Sequence, residues 1–291
     1  MSYKSSQRVA GYLFVAPALV LLALASGLPI IGIFLYSLTK YDVIQRPVLV
    51  GLRNFATLLQ DTTFLSSLGN TFYFAVFTVI FGSITALLIA LLLNRNLAGR
   101  TFFRTVVYLP QAMSYVAAAL IWMWIYDPLY GLLNDLLRHL GLVPVDWLTN
   151  PSTAMPSIII LSVWRTSGYY MVIFLAGLQG IPRQIYEAAE IDGARGARAF
   201  FSITLPLLMP TVFLVVVMWS IGAMQMFTQA YVMTGGGPAG ATSTVVYQVY
   251  LSAFQYLKLG YASAESVVLF LAIMILTVLN NRVFRRFAFT Y

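Results

Sequence analysis

Long uncharged apolar runs alternate along the chain with short charged clusters, and the lengths of those runs predict its elements. Between Arg8 and Lys40, 31 residues carry no Asp, Glu, Lys or Arg. A signal peptide has an apolar core of only about 7–15 residues, whereas a helix crossing the hydrocarbon layer needs about 20. The run predicts a first membrane span over Tyr12–Leu38, kinked by Pro29 near its outer end. A second span is expected over Asn70–Leu93 and a third over Thr105–Tyr126, with Trp122, Trp124 and Tyr126 at a membrane–water interface. A fourth, Pro156–Leu178, contains Arg165. A fifth begins near Leu205 in the 59-residue uncharged run Ala199–Leu257, which Gly235-Gly236-Gly237-Pro238 breaks into a span and an outer loop. A sixth covers about Ala262–Asn281.

Composition agrees with that pattern. Hydrophobic residues make up 60% and charged residues 9%, with a mean hydropathy of +0.84. Soluble domains carry about 25% charged and about 45–50% apolar residues. An ordinary soluble enzyme is excluded, and the expected fold class is all-α, a polytopic membrane protein with six transmembrane helices. The net charge of +8 adds orientation. Six spans put both termini on one side, where Lys4, Arg8, Arg95, Arg100, Arg104, Arg183, Arg195, Arg198, Arg282, Arg285 and Arg286 make 11 cations. The other side holds 5: Lys40, Arg46, Arg53, Arg138 and Lys258. Positively charged flanks resist translocation, so both termini are expected in the cytoplasm. The expected organisation is an N-terminal cytoplasmic segment 1–11, a membrane domain 12–281 and a cytoplasmic tail 282–291.

Chemistry is restricted. There is no Cys and one His, His139, which excludes disulfides, thiolate metal sites and His-based triads. No phosphate-binding GxxxxGK[ST] loop occurs, so energy for any active transport comes from a partner or an ion.

The most charged stretch lies between spans four and five, at about 180–206, on the cytoplasmic side. Pro182 opens a helix well because its missing donor does no harm in the first turn. A helix is predicted over Arg183–Asp192, then a left-handed turn at Gly193. A second short helix is expected over Ala194–Phe201, before Pro206 starts the fifth span. Pattern alone suggests an interfacial tether between two spans.

The literal sequence says more. Glu187-Ala188-Ala189, three residues, Gly193, nine residues, then Ile203-Thr204-Leu205-Pro206 resembles the EAA loop of ABC importer permeases, with every anchor at the family's spacing. Gly51-Leu52-x-Asn54-Phe55, Asp127-Pro128, Gly131-Leu132-Leu133-Asn134, Leu178-Gln179-x-Ile181-Pro182, Thr234-Gly235-Gly236-Gly237-Pro238 and Gly260-Tyr261-Ala262-Ser263-Ala264 resemble the sugar-importer subgroup, of maltose and glycerol-phosphate type. Ala197, Arg198 and Glu265 depart from it, standing where members often carry Trp, Gln and a small or apolar residue. The resemblance implies a type I importer permease in a bacterial or archaeal cell membrane. It also implies a homologous second permease, two ATPase subunits that bind the ATP and Mg, and an extracytoplasmic solute-binding protein. This chain would then be non-catalytic, with no cofactor of its own. Glu187, Ala188, Ala189, Ile191, Asp192, Gly193, Ala194, Leu205 and Pro206 would couple it to the ATPase.

Other residues carry open alternatives. Arg165 is costly facing lipid, by about 2.5–3.5 kcal/mol on insertion scales. It is expected to contact substrate, to snorkel outward, or to pair with Glu265. Tyr169, Tyr170, Trp219, Met224, Gln225 and Phe227 are candidates for a sugar path, since aromatic faces cover a pyranose and an amide bonds hydroxyls; simple packing is the competing explanation. Gly235, Gly236, Gly237 and Pro238 form a flexible outer loop, and the resemblance adds contact with the binding protein. Asp127, Asp135 and Asp146 are solvated or docking charges. An ion-driven secondary transporter is the alternative function; a membrane enzyme has too few catalytic candidates.

Overall fold

The computed structural model describes residues 3–95 and 98–288, with side chains described over 11–95 and 98–283. The expected terminal segments 1–11 and 282–291 lie largely outside the described side chains, and residues 289–291 lie outside altogether; helical backbone runs into both segments.

The first span comprises α1 (Tyr3–Leu22), a π-helical turn Ala23–Gly27 and α2 (Leu28–Ser37). Pro29, where a kink would be tolerable, follows this wide turn. Pro29 sits in the first turn of α2, where its missing N–H leaves no gap in the helical ladder. A short antiparallel pair, β1 (Thr39–Lys40) with β2 (Val48–Leu49), and α3 (Arg53–Leu58) follow. The second span is α4 (Thr62–Leu93), 32 residues and so about 48 Å long at 1.5 Å per residue. It begins earlier than its apolar core.

The third span is not one helix. α5 (Arg100–Ala112) and α6 (Tyr115–Ile125) meet at 101°. Met113 and Ser114 are extended, and the Ser114 hydroxyl accepts from Ala117 N at 3.2 Å, so a serine cap restarts the helix. Pro110 weakens the preceding turn by lacking a donor.

In the following loop α7 (Leu132–His139) is held by buried Asn134. The Asn134 amide donates to Pro128 O and Val145 O and accepts from Val145 N and Trp147 Nε1. Asp127 forms the turn before α7: its Oδ1 accepts from Leu129 N and Tyr130 N.

The fourth span, α8 (Pro151–Gln179), starts five residues before the expected Pro156, because Asn150 caps it and Pro151 suits the first helical position. α9 (Arg183–Ile191) follows. The expected separate helix Ala194–Phe201 is instead the foot of the fifth span: α10 (Ala197–Ala199), a π turn Phe200–Thr204 and α11 (Leu205–Met224) run on as one 28-residue helix. Pro206, like Pro29, follows a π turn, so the helix continues through it. After Met224 the chain forms a π turn Ala230–Thr234, α12 (Val245–Tyr250), a π turn Leu251–Gln255 and α13 (Leu259–Ala288), the sixth span. Among the described residues five helices are long and apolar enough to cross a membrane, and the bent pair α5–α6 makes up to six.

The chain divides into two units. The first comprises residues 1–61 and 248–268. In it Asn54 Nδ2 donates to Ser37 O and Thr39 O, both at 2.8 Å, pinning the hairpin to the end of α2. Gly260 N donates to Tyr41 O at 3.0 Å. The second unit comprises residues 62–247 and 269–291. There α4, α8 and α11 pack together through small residues such as fully buried Ala86 and Ala90, which let backbones approach as membrane helices require.

Candidate functional site

Within the second unit a cavity of about 210 Å³ lies among α4, α8 and the C-terminal end of α11. Tyr170 and Trp219 form one wall, their rings stacked at 4.2 Å and 16°. Trp219 can lie there because it packs flat on Gly82, where a β-carbon would overlap the indole. Gln225 and Phe227 line the cavity from the segment after α11. Of the expected path residues, these four come together. Tyr169 lines no wall but meets Tyr170 edge-on at 5.1 Å, and Met224 is fully buried packing.

The sequence reading missed Phe74, Thr78, Tyr115, Ser162, Thr166 and Gln229, which also line the cavity. A signal existed for some of them. Ser162, Thr166 and Tyr170 recur every four residues on α8, and Phe74 and Thr78 do so on α4, which puts each set on one helix face. The Tyr115 hydroxyl and Thr166 Oγ1 are 3.1 Å apart, and Gln229 Nε2 donates to Ser162 Oγ at 3.4 Å.

Arg165 is 8% exposed and does not line the cavity. Its Nη1 donates to Gln111 Oε1 at 3.1 Å, and its Nη2 to Gln111 O at 3.2 Å and Met113 O at 2.6 Å. Two of the three expectations, snorkelling and pairing with Glu265, give way to bonds with Gln111 and Met113. The fork satisfies the carbonyls that the break between α5 and α6 leaves without helical partners.

On α9, Gly193 has φ +77°, with Gly193 N bonded to Glu190 O at 3.2 Å and Ala194 N to Ala189 O at 2.8 Å. This pair of bonds is a Schellman stop, and the left-handed φ favours glycine there. Gln184, Glu187, Ala188 and Ile191 share the exposed face, and Ile191 is 88% exposed. Ala189 points the other way and is buried, so of the two alanines only Ala188 is outside. Glu187 pairs with Arg183 at 3.0 Å and Glu190 with Arg195 at 2.8 Å. Tyr186 and Thr204 hydroxyls, 3.2 Å apart, join α9 to the foot of the fifth span. Leu205 and Pro206 are half-buried at the start of α11.

Gly235–Pro238 is a tied loop rather than a flexible one. Tyr247 donates to Gly235 O at 2.8 Å, Thr242 to Gly237 O at 2.6 Å, and Asn70 Nδ2 to Gly240 O at 2.8 Å and Ser243 O at 2.9 Å. His139 lies 3.6 Å from the Asp135 carboxylate at the surface. Among the described residues no three His, Cys, Asp or Glu side chains converge on a metal-sized site.

Comparison with known proteins fits this arrangement. A trehalose/maltose transport system permease protein of Thermococcus litoralis is 39% identical over 283 residues, covering 95% of this chain and 94% of the relative. An sn-glycerol-3-phosphate transport system permease protein of Agrobacterium fabrum is 36% identical over 277 residues, 94% of each chain. A solved bacterial ABC transporter, involved in the import of the acidic polysaccharide alginate, has a subunit of the same fold. The TM-score is 0.85 at 24% identity, over 99% of both chains. Residues 78–289 match the family described as binding-protein-dependent transport system inner membrane component. With most of its length inside that match and relatives aligned nearly end to end, the chain belongs to the family of inner membrane components of binding-protein-dependent transport systems.

Proposed function

We propose that the chain is the permease subunit of an ATP-driven importer of sugars or related solutes. It forms half of the translocation path and works with a homologous second permease, two ATPase subunits and an extracytoplasmic solute-binding protein. The carrying observation is α9, a short helix ended by Gly193 whose outer face presents Ile191 almost wholly bare. An exposed isoleucine beside a small residue, Ala188, suits insertion into a groove of another protein. Glu187, Ala188, Ile191, Asp192 and Gly193 form the contacting edge, while Ala189, Ala194, Leu205 and Pro206 support it from behind. The charge bias supports a cytoplasmic α9 and cytoplasmic termini, on the side where the ATPases would bind. Gly235, Gly236, Gly237 and Pro238 face the binding protein at the other end. The cavity walled by Tyr170, Trp219, Gln225 and Phe227 is this subunit's share of the path; the trehalose/maltose permease supports a sugar as cargo.

The test is vanadate-sensitive, ATP-dependent sugar uptake in proteoliposomes holding all partner subunits. Uptake that needs both ATPase and binding protein is expected. Proton-driven uptake by this chain alone would overturn the reading in favour of a secondary transporter.

A further inference from the structure

The cavity's lining is uncharged, although relatives of this chain carry both neutral and anionic cargo. Thr78, 2% exposed, lines it with a hydroxyl that has no hydrogen-bond partner. Gln225 lines it with an exposed amide that makes no hydrogen bond among the described residues. Tyr115, Thr166, Ser162 and Gln229 add hydroxyls and a second amide. All of these groups except the aromatic rings both donate and accept, as sugar hydroxyls do.

An anion makes different demands. Phosphate and carboxylate oxygens only accept, and removing their charge from water is costly unless a cation or a set of aligned donors replaces the hydration. Arg165, packed against Tyr115, has both terminal nitrogens bonded to Gln111 or Met113, and its unpartnered Nε is buried. Its guanidinium lies against the ring of Tyr115, so the tyrosine separates it from the cavity that Tyr115 lines. The amide of Ala117 at the start of α6 is already taken by the Ser114 hydroxyl.

We infer that the solute passed by this permease is an uncharged sugar, recognised by hydroxyl and amide groups against an aromatic wall, and not a glycerol phosphate or a uronate oligosaccharide. The inference rests on the cavity being part of the proposed path. Arg165 thereby becomes a scaffold residue in place of an anion-binding one.

The experiment uses the complete transporter in proteoliposomes with its binding protein and ATP. It is offered an equimolar mixture of maltose, trehalose, maltotriose, raffinose, glycerol 3-phosphate and alginate trisaccharide, and the vesicle lumen is analysed by mass spectrometry. Accumulation of a neutral sugar is expected, with the two anions at least tenfold lower. Accumulation of either anion at a comparable rate overturns the inference. Trp219→Leu and Gln225→Ala are run in parallel and are expected to slow entry of the accumulated solute at least tenfold. If both variants import it at the wild-type rate, the cavity is not in the path, and that reading fails whatever the solute's charge. If nothing accumulates in an ATP-dependent way, the sugar-import reading fails and the inference falls with it.

Discussion

The guanidinium carbon of Arg165 lies 3.7 Å from the centroid of the Tyr115 ring. The same guanidinium holds the carbonyls of Gln111 and Met113. One side chain from the middle of α8 thus does two things. It closes the backbone gap where the third span bends, and it backs the tyrosine that faces the cavity. A cation that was costly in an apolar helix is tolerated because carbonyl dipoles and a π face surround it.

Arg165→Lys is the informative substitution. A lysine keeps the charge, but it has one nitrogen and no planar fork, so it cannot stack on Tyr115 while spanning both carbonyls. Loss of two bonds to a charged group, each contributing about 1.5–3 kcal/mol, should lower the apparent melting temperature of the purified transporter by several degrees. Uptake should fall at equal protein level. A variant with unchanged melting temperature and a raised KM for sugar would mean that the charge itself meets the substrate.

Gly82 and Trp219 give a second test. The indole occupies the space a side chain at position 82 would need. Gly82→Val should cost about 1–3 kcal/mol through overpacking and push Trp219 off Tyr170. Lower melting temperature together with lower uptake is expected, and a change in tryptophan emission should accompany both. Normal emission and normal transport would mean that the cavity wall does not depend on this contact.

On α9 the prediction concerns assembly. Ile191→Asp puts a charge on the bare apolar edge and should sharply reduce co-purification of the ATPase while leaving the permease in the membrane. Glu187→Lys should do the same more mildly, because exposed pairs such as Arg183–Glu187 contribute only about 0–1 kcal/mol. Gly193→Asp forces a side chain to φ +77° and should uncouple ATP hydrolysis from uptake. ATPase recovery unchanged in Ile191→Asp would remove this face from the interface.

Sequence reading succeeded where one rule governed a long segment. Uncharged length located the spans, and Pro182 with Gly193 bounded α9 to within a residue. It failed where breaks depend on local bonding. Nothing in the hydropathy of Thr105–Tyr126 signals a 101° bend, because the bend is made by Ser114 capping and by Arg165, 51 residues after Ser114. Gly235–Pro238 looked flexible because glycine and proline report only what a backbone is free to do. The tethers come from Asn70, Thr242 and Tyr247. The cavity was half legible: its aromatic residues stood out, whereas Thr78, Ser162 and Thr166 did not, since a lone hydroxyl in a membrane helix ordinarily bonds its own backbone.

Glu265 is a buried acid in the sixth span. It is 1% exposed on α13, and Oε2 has no hydrogen-bond partner; the carboxyl bonds Ser252. One turn earlier, the Tyr261 hydroxyl donates to Asp61 Oδ2 at 2.6 Å and so is committed to another carboxylate. A buried carboxylate with half its oxygens unserved lowers stability, and a neutral side chain of the same shape avoids most of that cost. Glu265→Gln keeps the length and the contact with Ser252 while removing the charge. It should raise the apparent melting temperature at neutral pH with uptake retained. Tyr261→Phe, which removes the hydrogen bond to Asp61 Oδ2, should lower the melting temperature instead. If Glu265→Gln destabilises the assembled transporter but not the isolated chain, the carboxylate is held by a cation of a partner subunit, and its burial serves assembly.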